Sequence, residues 1–152
     1  MIDSIKAFFN AITGPQQINS KDNHDLAISA LLCEVCKADH HIAKEEEAVI
    51  EKTLTKLLNV DTAQAKALLE IGKEKATLSN SLFDFTTQLQ GLDYDVRCNI
   101  IKAMWEVAYA DNSLDPIEEL IIRKASDLIY VGHSEFIKTK LSVINSLPQV
   151  TL

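Results

Sequence analysis

Apolar residues recur every three to four positions along most of this chain, which is the spacing of one face of an α-helix. Glycine and proline rarely interrupt that spacing, with 4 and 3 residues respectively among 152. We therefore predict an all-α fold, a compact bundle of seven to eight helices joined by short loops. The predicted helices cover about residues 2–12, 25–38, 44–58, 61–76, 80–91, 93–110, 115–130 and 134–144.

The helical pattern is duplicated within the chain. Residues 28–52 and 100–124 align without a gap at an offset of 72 positions, the distance from Asp39 to Asp111. Each copy has the pattern of a helix, a tight acidic corner and a second helix. The duplication predicts a single domain over residues 1–152 with an internal pseudo-two-fold repeat. Its units cover about 22–58 and 93–130, and residues 1–19 form the first helix and a connector.

Each corner carries a glutamate where a helix is predicted to start. In the second copy, Asp115 is a good N-cap, Pro116 suits the first helical position and Glu118 completes a capping box. The first copy has Ala43 in place of that aspartate, so the reciprocal side-chain cap is lost. Its Glu46 still favours the helix N-terminus through the helix dipole. One interpretation of Glu46 and Glu118 is therefore helix-start chemistry.

The repeated acids also suggest a metal site. Glu34 and Glu106 lie in apolar stretches, five residues before Asp39 and Asp111. If the two units pack about a pseudo-two-fold axis, these four carboxylates converge into one pocket, with Glu46 and Glu118 as second-ranked ligands. Oxygen ligands of this kind suit Ca²⁺, Mg²⁺ or Mn²⁺. The alternative is that the carboxylates only cap backbone amides and structure the corners.

The two cysteines of the first unit have the C-x-x-C spacing, and His40 and His41 follow them. At the equivalent positions of the second unit, Cys33 aligns with Trp105 and Cys36 with Ala108, which are residues of a packed face. We therefore interpret both thiols as core residues rather than zinc ligands or a redox pair.

Charge and composition exclude several classes of function. The net charge of −7 disfavours nucleic-acid binding, which needs a basic surface. The repeat holds no nucleophile or catalytic base, so we predict no enzyme, no catalytic residue and no cofactor other than the divalent cation. We find no signal peptide, no apolar stretch long enough for a transmembrane helix and an odd cysteine count, and we expect a reduced cytoplasmic protein. The first helix docks on the bundle or on a protein partner, and contact with a membrane surface is the weaker interpretation of it.

The doubled corners resemble those of the TerB family, the tellurite-resistance B proteins, whose module also forms the N-terminal domain of the co-chaperone DjlA. The likeness covers about residues 20–145 and rests on the Ala-Asp-x-x-Ile/Leu-x-x-x-Glu pattern of both copies. His40 and Asn112 stand where the family usually has a corner glycine, and we expect positive φ or a bridge-region turn at both. The resemblance implies an all-helical bundle with acidic residues proposed to bind metal, and a role in resistance to tellurite and other stresses.

Two functions of different classes follow from these observations. In the first, the protein is a metal-responsive stress-response module with Glu34, Asp39, Glu106 and Asp111 as ligands. In the second, it is an adaptor that binds a protein partner, and its acids only build the corners.

Overall fold

A computed structural model of the protein describes residues 20–36, 42–110 and 114–147. Within this part of the chain all regular structure is helical, which confirms the all-α prediction. The helix predicted over residues 2–12 lies outside the described residues. The helices are α1 (Ser20–Cys36), α2 (Lys44–Leu58), α3 (Thr62–Leu78), α4 (Phe83–Thr86), α5 (Tyr94–Ala108), α6 (Pro116–Leu128) and α7 (His133–Ser146).

Three predicted helices are wrong in extent or start. The helix expected from about residue 25 already begins at Ser20. The helix expected over 80–91 is only the single turn α4, and the chain then continues in tight turns such as Leu89 N–H to the Thr86 carbonyl, 2.9 Å. The last helix starts at His133 with Gly132 as its N-cap, where the sequence suggested Ser134. The cause is the end of α6, where Tyr130 is left-handed (φ 61°) and Val131 N–H donates to the Ser126 carbonyl at 2.9 Å. This Schellman-type closure brings the chain directly into α7.

Helix α1 is enclosed by the rest of the bundle. Every residue from 25 to 33 is buried, and only Glu34 is half-exposed before Val35 and Cys36 are buried again. A helix that is apolar on all sides belongs in the centre of a fold. Small residues such as Ala27, Ser29 and Ala30 allow neighbouring helices to approach it closely.

The duplication extends further than the sequence pattern indicates. Helices α1, α2 and α3 correspond to α5, α6 and α7 at the same offset of 72 residues, so each unit has three helices. The packing is duplicated as well: α1 packs on α3 as α5 packs on α7, and α2 contacts α5 as α6 contacts α1. The pseudo-two-fold relation therefore includes the third helix of each unit, which the sequence repeat did not reveal.

One repeated acid holds the third helix of each unit. The Glu47 carboxylate accepts a hydrogen bond from Lys73 of α3 at 3.1 Å, and its counterpart Glu119 accepts one from Lys140 of α7 at 2.9 Å. All four side chains are partly exposed, and such ion pairs each contribute about 1 kcal/mol or less. This pairing explains why the acid recurs at both positions.

The closest approach of α1 and α3 is at Ser29 and Gly72. The Ser29 hydroxyl donates to the Leu68 carbonyl at 2.7 Å in the buried interface. A Cβ added at Gly72 would collide with the Ser29 hydroxyl and lie 3.0 Å from the Ser29 carbonyl carbon. Glycine at this position thus allows the central helix and α3 to pack at short range.

We expect Gly72→Ala to destabilise the protein. In an unconstrained helix this change adds roughly 0.5–1 kcal/mol of stability, but overpacking a tight core costs about 1–3 kcal/mol. The net result should be a lower free energy of unfolding in urea denaturation. Gly91→Ala is the matched control, because a Cβ there meets no atom within 4 Å. A Gly72→Ala variant as stable as the control would show that the two helices can separate at little cost.

Candidate functional site

The second acidic corner begins α6 with a complete capping box. The Asp115 carboxylate accepts from Ile117 N–H at 2.7 Å, and Glu118 Oε1 accepts from Asp115 N–H at 3.1 Å. Pro116 occupies the first helical position, where the missing N–H has no consequence. The helix-start role predicted for Glu118 is therefore confirmed.

The first corner keeps half of this arrangement. Ala43 has no side-chain acceptor, but its N–H donates to Glu46 Oε1 at 3.1 Å. Glu46 thus supports the start of α2 by a direct hydrogen bond as well as through the helix dipole. The sequence predicted that Glu46 supports this helix start only through the helix dipole. That prediction is wrong, because the Glu46 carboxylate accepts from the backbone N–H of the N-cap residue, and this bond does not need a polar N-cap side chain.

Glutamates of both corners influence one buried group, the Cys36 thiol at the end of α1. This thiol is 1% exposed. Burial raises its pKa well above the ordinary range, and the Glu46 charge and hydrogen bond raise it further, followed by smaller effects of Cys33 and Glu118. One acid of each unit therefore acts electrostatically on the same thiol.

The other predicted ligands are distributed differently. Asp39 and Asp111, with His40 and Asn112, belong to segments 37–41 and 111–113, outside the described residues. Glu34 and Glu106 line separate cavities. Glu34 precedes Cys36 by two residues, or about 200° around a helix, so the two side chains leave α1 on nearly opposite sides. Among the predicted ligands, the described acids that influence one common group are the second-ranked pair, Glu46 and Glu118.

No three His, Cys, Asp or Glu side chains within residues 20–36, 42–110 and 114–147 are grouped to hold a metal ion. The aspartates that would complete a set around Glu46 and Glu118 belong to the two short segments between those ranges. A ligand set drawn from these corners would consist of carboxylates, which is the chemistry of hard divalent cations.

A cavity of about 540 Å³ lies on the Glu34 side of α1, between the α3–α4 connection and α6. Sequence reasoning missed it, because it depends on how these elements pack. The connection is held by a hydrogen bond from the Ser79 hydroxyl to Asp84, 2.8 Å. Leu78 and Phe83, which flank the connection, are 75% and 52% exposed. The lining residues are Glu34, Ser79, Asn80, Ser81, Leu82, Ile121, Lys124, Asp127 and Leu128.

Both cysteines of the C-x-x-C pair are core residues, as predicted. Cys33 is 0% exposed and pairs with no other cysteine. Burial raises its pKa to about 12, although the positive charge of Lys73 opposes the shift. Trp105, its counterpart in the second unit, is equally buried and packs on Phe136 with 5.1 Å between ring centroids. The pair thus fills a core position that an aromatic ring fills in the other unit.

These features define an all-helical domain built from two three-helix units, each with a glutamate that supports the start of its second helix. The chain matches the family described as Tellurite resistance protein TerB over residues 25–141, and it belongs to that family. The match begins in α1 and ends in α7, so it includes both units. No curated protein and no solved structure shows a significant match to the chain. No helix in the described part of the chain has both the length and the apolar character needed to cross a membrane.

We expect one of the three thiols to react readily with Ellman's reagent in the folded protein at pH 8. Cys33 and Cys36 are enclosed and have strongly raised pKa values, whereas Cys98 is only half-buried. The thiolate is the reacting species, so both burial and a raised pKa slow the reaction.

Cys98→Ala should remove the fast phase, and denaturant should expose all remaining thiols. Replacing Cys33 and Cys36 with Ala should lower stability by about 1–2 kcal/mol and leave the metal content unchanged. Fast labelling of all three thiols, or stoichiometric zinc lost on this double substitution, would identify the pair as a reactive site instead.

Proposed function

We propose that this TerB-family domain binds a divalent cation at its paired acidic corners and acts in the stress response through that binding. The observation that supports the proposal is that the charges of Glu46 and Glu118, one from each unit, both raise the pKa of the same buried thiol. Asp39 and Asp111 are fixed by sequence to the segments that lead into these corners. Four carboxylates near one axis repel each other, and a bound cation relieves that repulsion.

The chemistry of the corners favours a hard cation. The Cys36 thiol is a poor ligand, because metals bind the thiolate and this pKa is raised. The candidate ligands are therefore Asp39, Asp111, Glu46 and Glu118, and the candidate ions are Ca²⁺, Mg²⁺ and Mn²⁺. Glu34 and Glu106, which line other cavities, have less support as ligands than they had from the sequence.

Millimolar Ca²⁺, Mg²⁺ or Mn²⁺ should raise the melting temperature by several degrees over NaCl of equal ionic strength. A ligand that binds only the folded state adds about 2.7 kcal/mol at a hundredfold excess over its dissociation constant. For a domain of this size, each kcal/mol corresponds to about 2–4 °C. Differential scanning calorimetry of protein purified without tags or chelators measures the shift.

Asp39→Asn/Asp111→Asn should lose the increment, and without metal it should be at least as stable as wild type, because two mutually repelling charges are gone. Glu51→Gln/Glu74→Gln removes the same charge away from the corners and should keep the full increment. Identical melting curves with and without divalent ions would contradict cation binding.

An interaction adaptor is the second candidate function. Glu46 and Glu118 are already engaged by backbone N–H groups, and a cavity beside the α3–α4 connection is flanked by exposed Leu78 and Phe83. Exposed apolar side chains beside a cavity are typical of protein-binding surfaces.

If the adaptor function holds, Leu78→Ser/Phe83→Ser should abolish association with a partner that co-purifies with the wild-type protein. Val96→Ser/Leu141→Ser is the control, because these side chains are 40% and 50% exposed on α5 and α7. We would measure association by quantitative pull-down in parallel. Equal loss of the partner in both variants would exclude the α3–α4 surface as the specific binding site.

A further inference from the structure

Three lysines converge on one concave surface of this acidic protein. Lys52 and Lys56 are one turn apart on α2, and Lys102 is on α5. All three line a cavity of about 510 Å³ between α2, α5 and α7. None of them forms an ion pair with a described residue, whereas Lys73 and Lys140 are paired with glutamates. The chain has a net charge of −7, so a cavity lined by three lysines without a described ion-pair partner has the opposite sign of charge from the protein as a whole.

The cavity has one acidic group in its lining, Glu106. A second cavity of about 210 Å³ shares this residue, together with Thr53, Lys56 and Lys102. The two form a single depression with three positive charges and one negative charge. A ligand with two or more negative charges therefore matches the surplus of two positive charges in this depression.

The remaining lining favours a phosphorylated small molecule. Lysine ammonium groups bind phosphate as point charges, and the hydroxyls of Thr53, Tyr109 and Ser142 provide hydrogen-bond donors for its oxygens. Val49, Val143 and Leu147 supply apolar surface for an organic part. The volume lies in the range of about 300–1,000 Å³ typical of small-molecule sites, which is smaller than an extended peptide requires.

We propose that the depression between α2, α5 and α7 binds an organic phosphate carrying at least two negative charges, through Lys52, Lys56 and Lys102. Glu106 also lines the depression, and its negative charge lowers the affinity for phosphate. The lining of this site includes none of Cys36, Glu46 and Glu118, and the site does not depend on cation binding at the corners. Its chemistry is shared by free phosphorylated metabolites and by the headgroups of phosphorylated lipids.

The test is isothermal titration calorimetry of the whole chain in EDTA, with ADP and inorganic tripolyphosphate as probes. Chelation removes divalent cations, so failure of the cation proposal does not affect this result. We expect saturable binding that weakens as salt concentration rises. Lys52→Gln/Lys56→Gln/Lys102→Gln should weaken it by about tenfold for each lysine that contacts phosphate.

Two further variants make the test specific. Lys44→Gln/Lys66→Gln/Lys75→Gln removes the same charge from exposed lysines that line neither cavity, and it should bind as wild type does. Glu106→Gln should bind more tightly, because Glu106 is the only acidic side chain that the described residues contribute to the depression. Circular dichroism confirms that each variant is folded.

A second experiment distinguishes a free phosphorylated metabolite from a lipid headgroup. It measures sedimentation of the protein with phosphatidylcholine vesicles that do or do not contain a phosphoinositide. Binding of the vesicles but not the soluble probes would assign the phosphate to a lipid headgroup. An oligoglutamate peptide serves as an anionic probe without phosphate. The proposal is overturned if no phosphate probe binds, if both triple-lysine variants bind equally well, or if only this peptide binds.

Discussion

Enclosure of α1 on every side is the constraint on which the rest of the structure depends. A helix without a solvent-facing stripe needs neighbours all round, and α3, α5, α2 and α6 supply them. Its small residues set how near those neighbours lie, most tightly at Ser29 and Gly72. Because α1 is held in this way, the position of Cys36 is determined, and this is the thiol whose pKa glutamates of both units raise.

Much of the fold was readable from periodicity and from the repeat. Local rules correctly predicted the α2 boundaries, the Asp61 N-cap of α3 and the capping box at Asp115. These rules hold because the hydrogen bonds of a helix start join residues within a single turn. The helix predicted over 80–91 is wrong in extent: after α4 the chain continues in i→i+3 turns, and these turns still bury both Phe85 and Leu89 in the core. Local propensity could not reveal this, because the competing interaction is tertiary.

The candidate site stays a prediction, because Asp39 and Asp111 lie outside the described residues. Proximity along a helix does not tell which acids share a face. Glu34 and Glu106 were chosen for their apolar neighbours in sequence, yet each emerges beside a different cavity. Glu47 and Glu119 recur because each binds a lysine of the third helix, an interaction invisible until α3 and α7 were known to belong to the units.

The three-helix unit has a further consequence for how the two halves can differ. In a symmetric dimer of identical chains, any substitution near the axis appears twice, and both copies must tolerate it. A single chain with two such units is free of that restriction. Cys33 can occupy the place that Trp105 fills in the other half, and Ala43 can stand where Asp115 caps α6. Covalent linkage thus allows one half to specialise in packing around the central helix while the other retains the stronger cap.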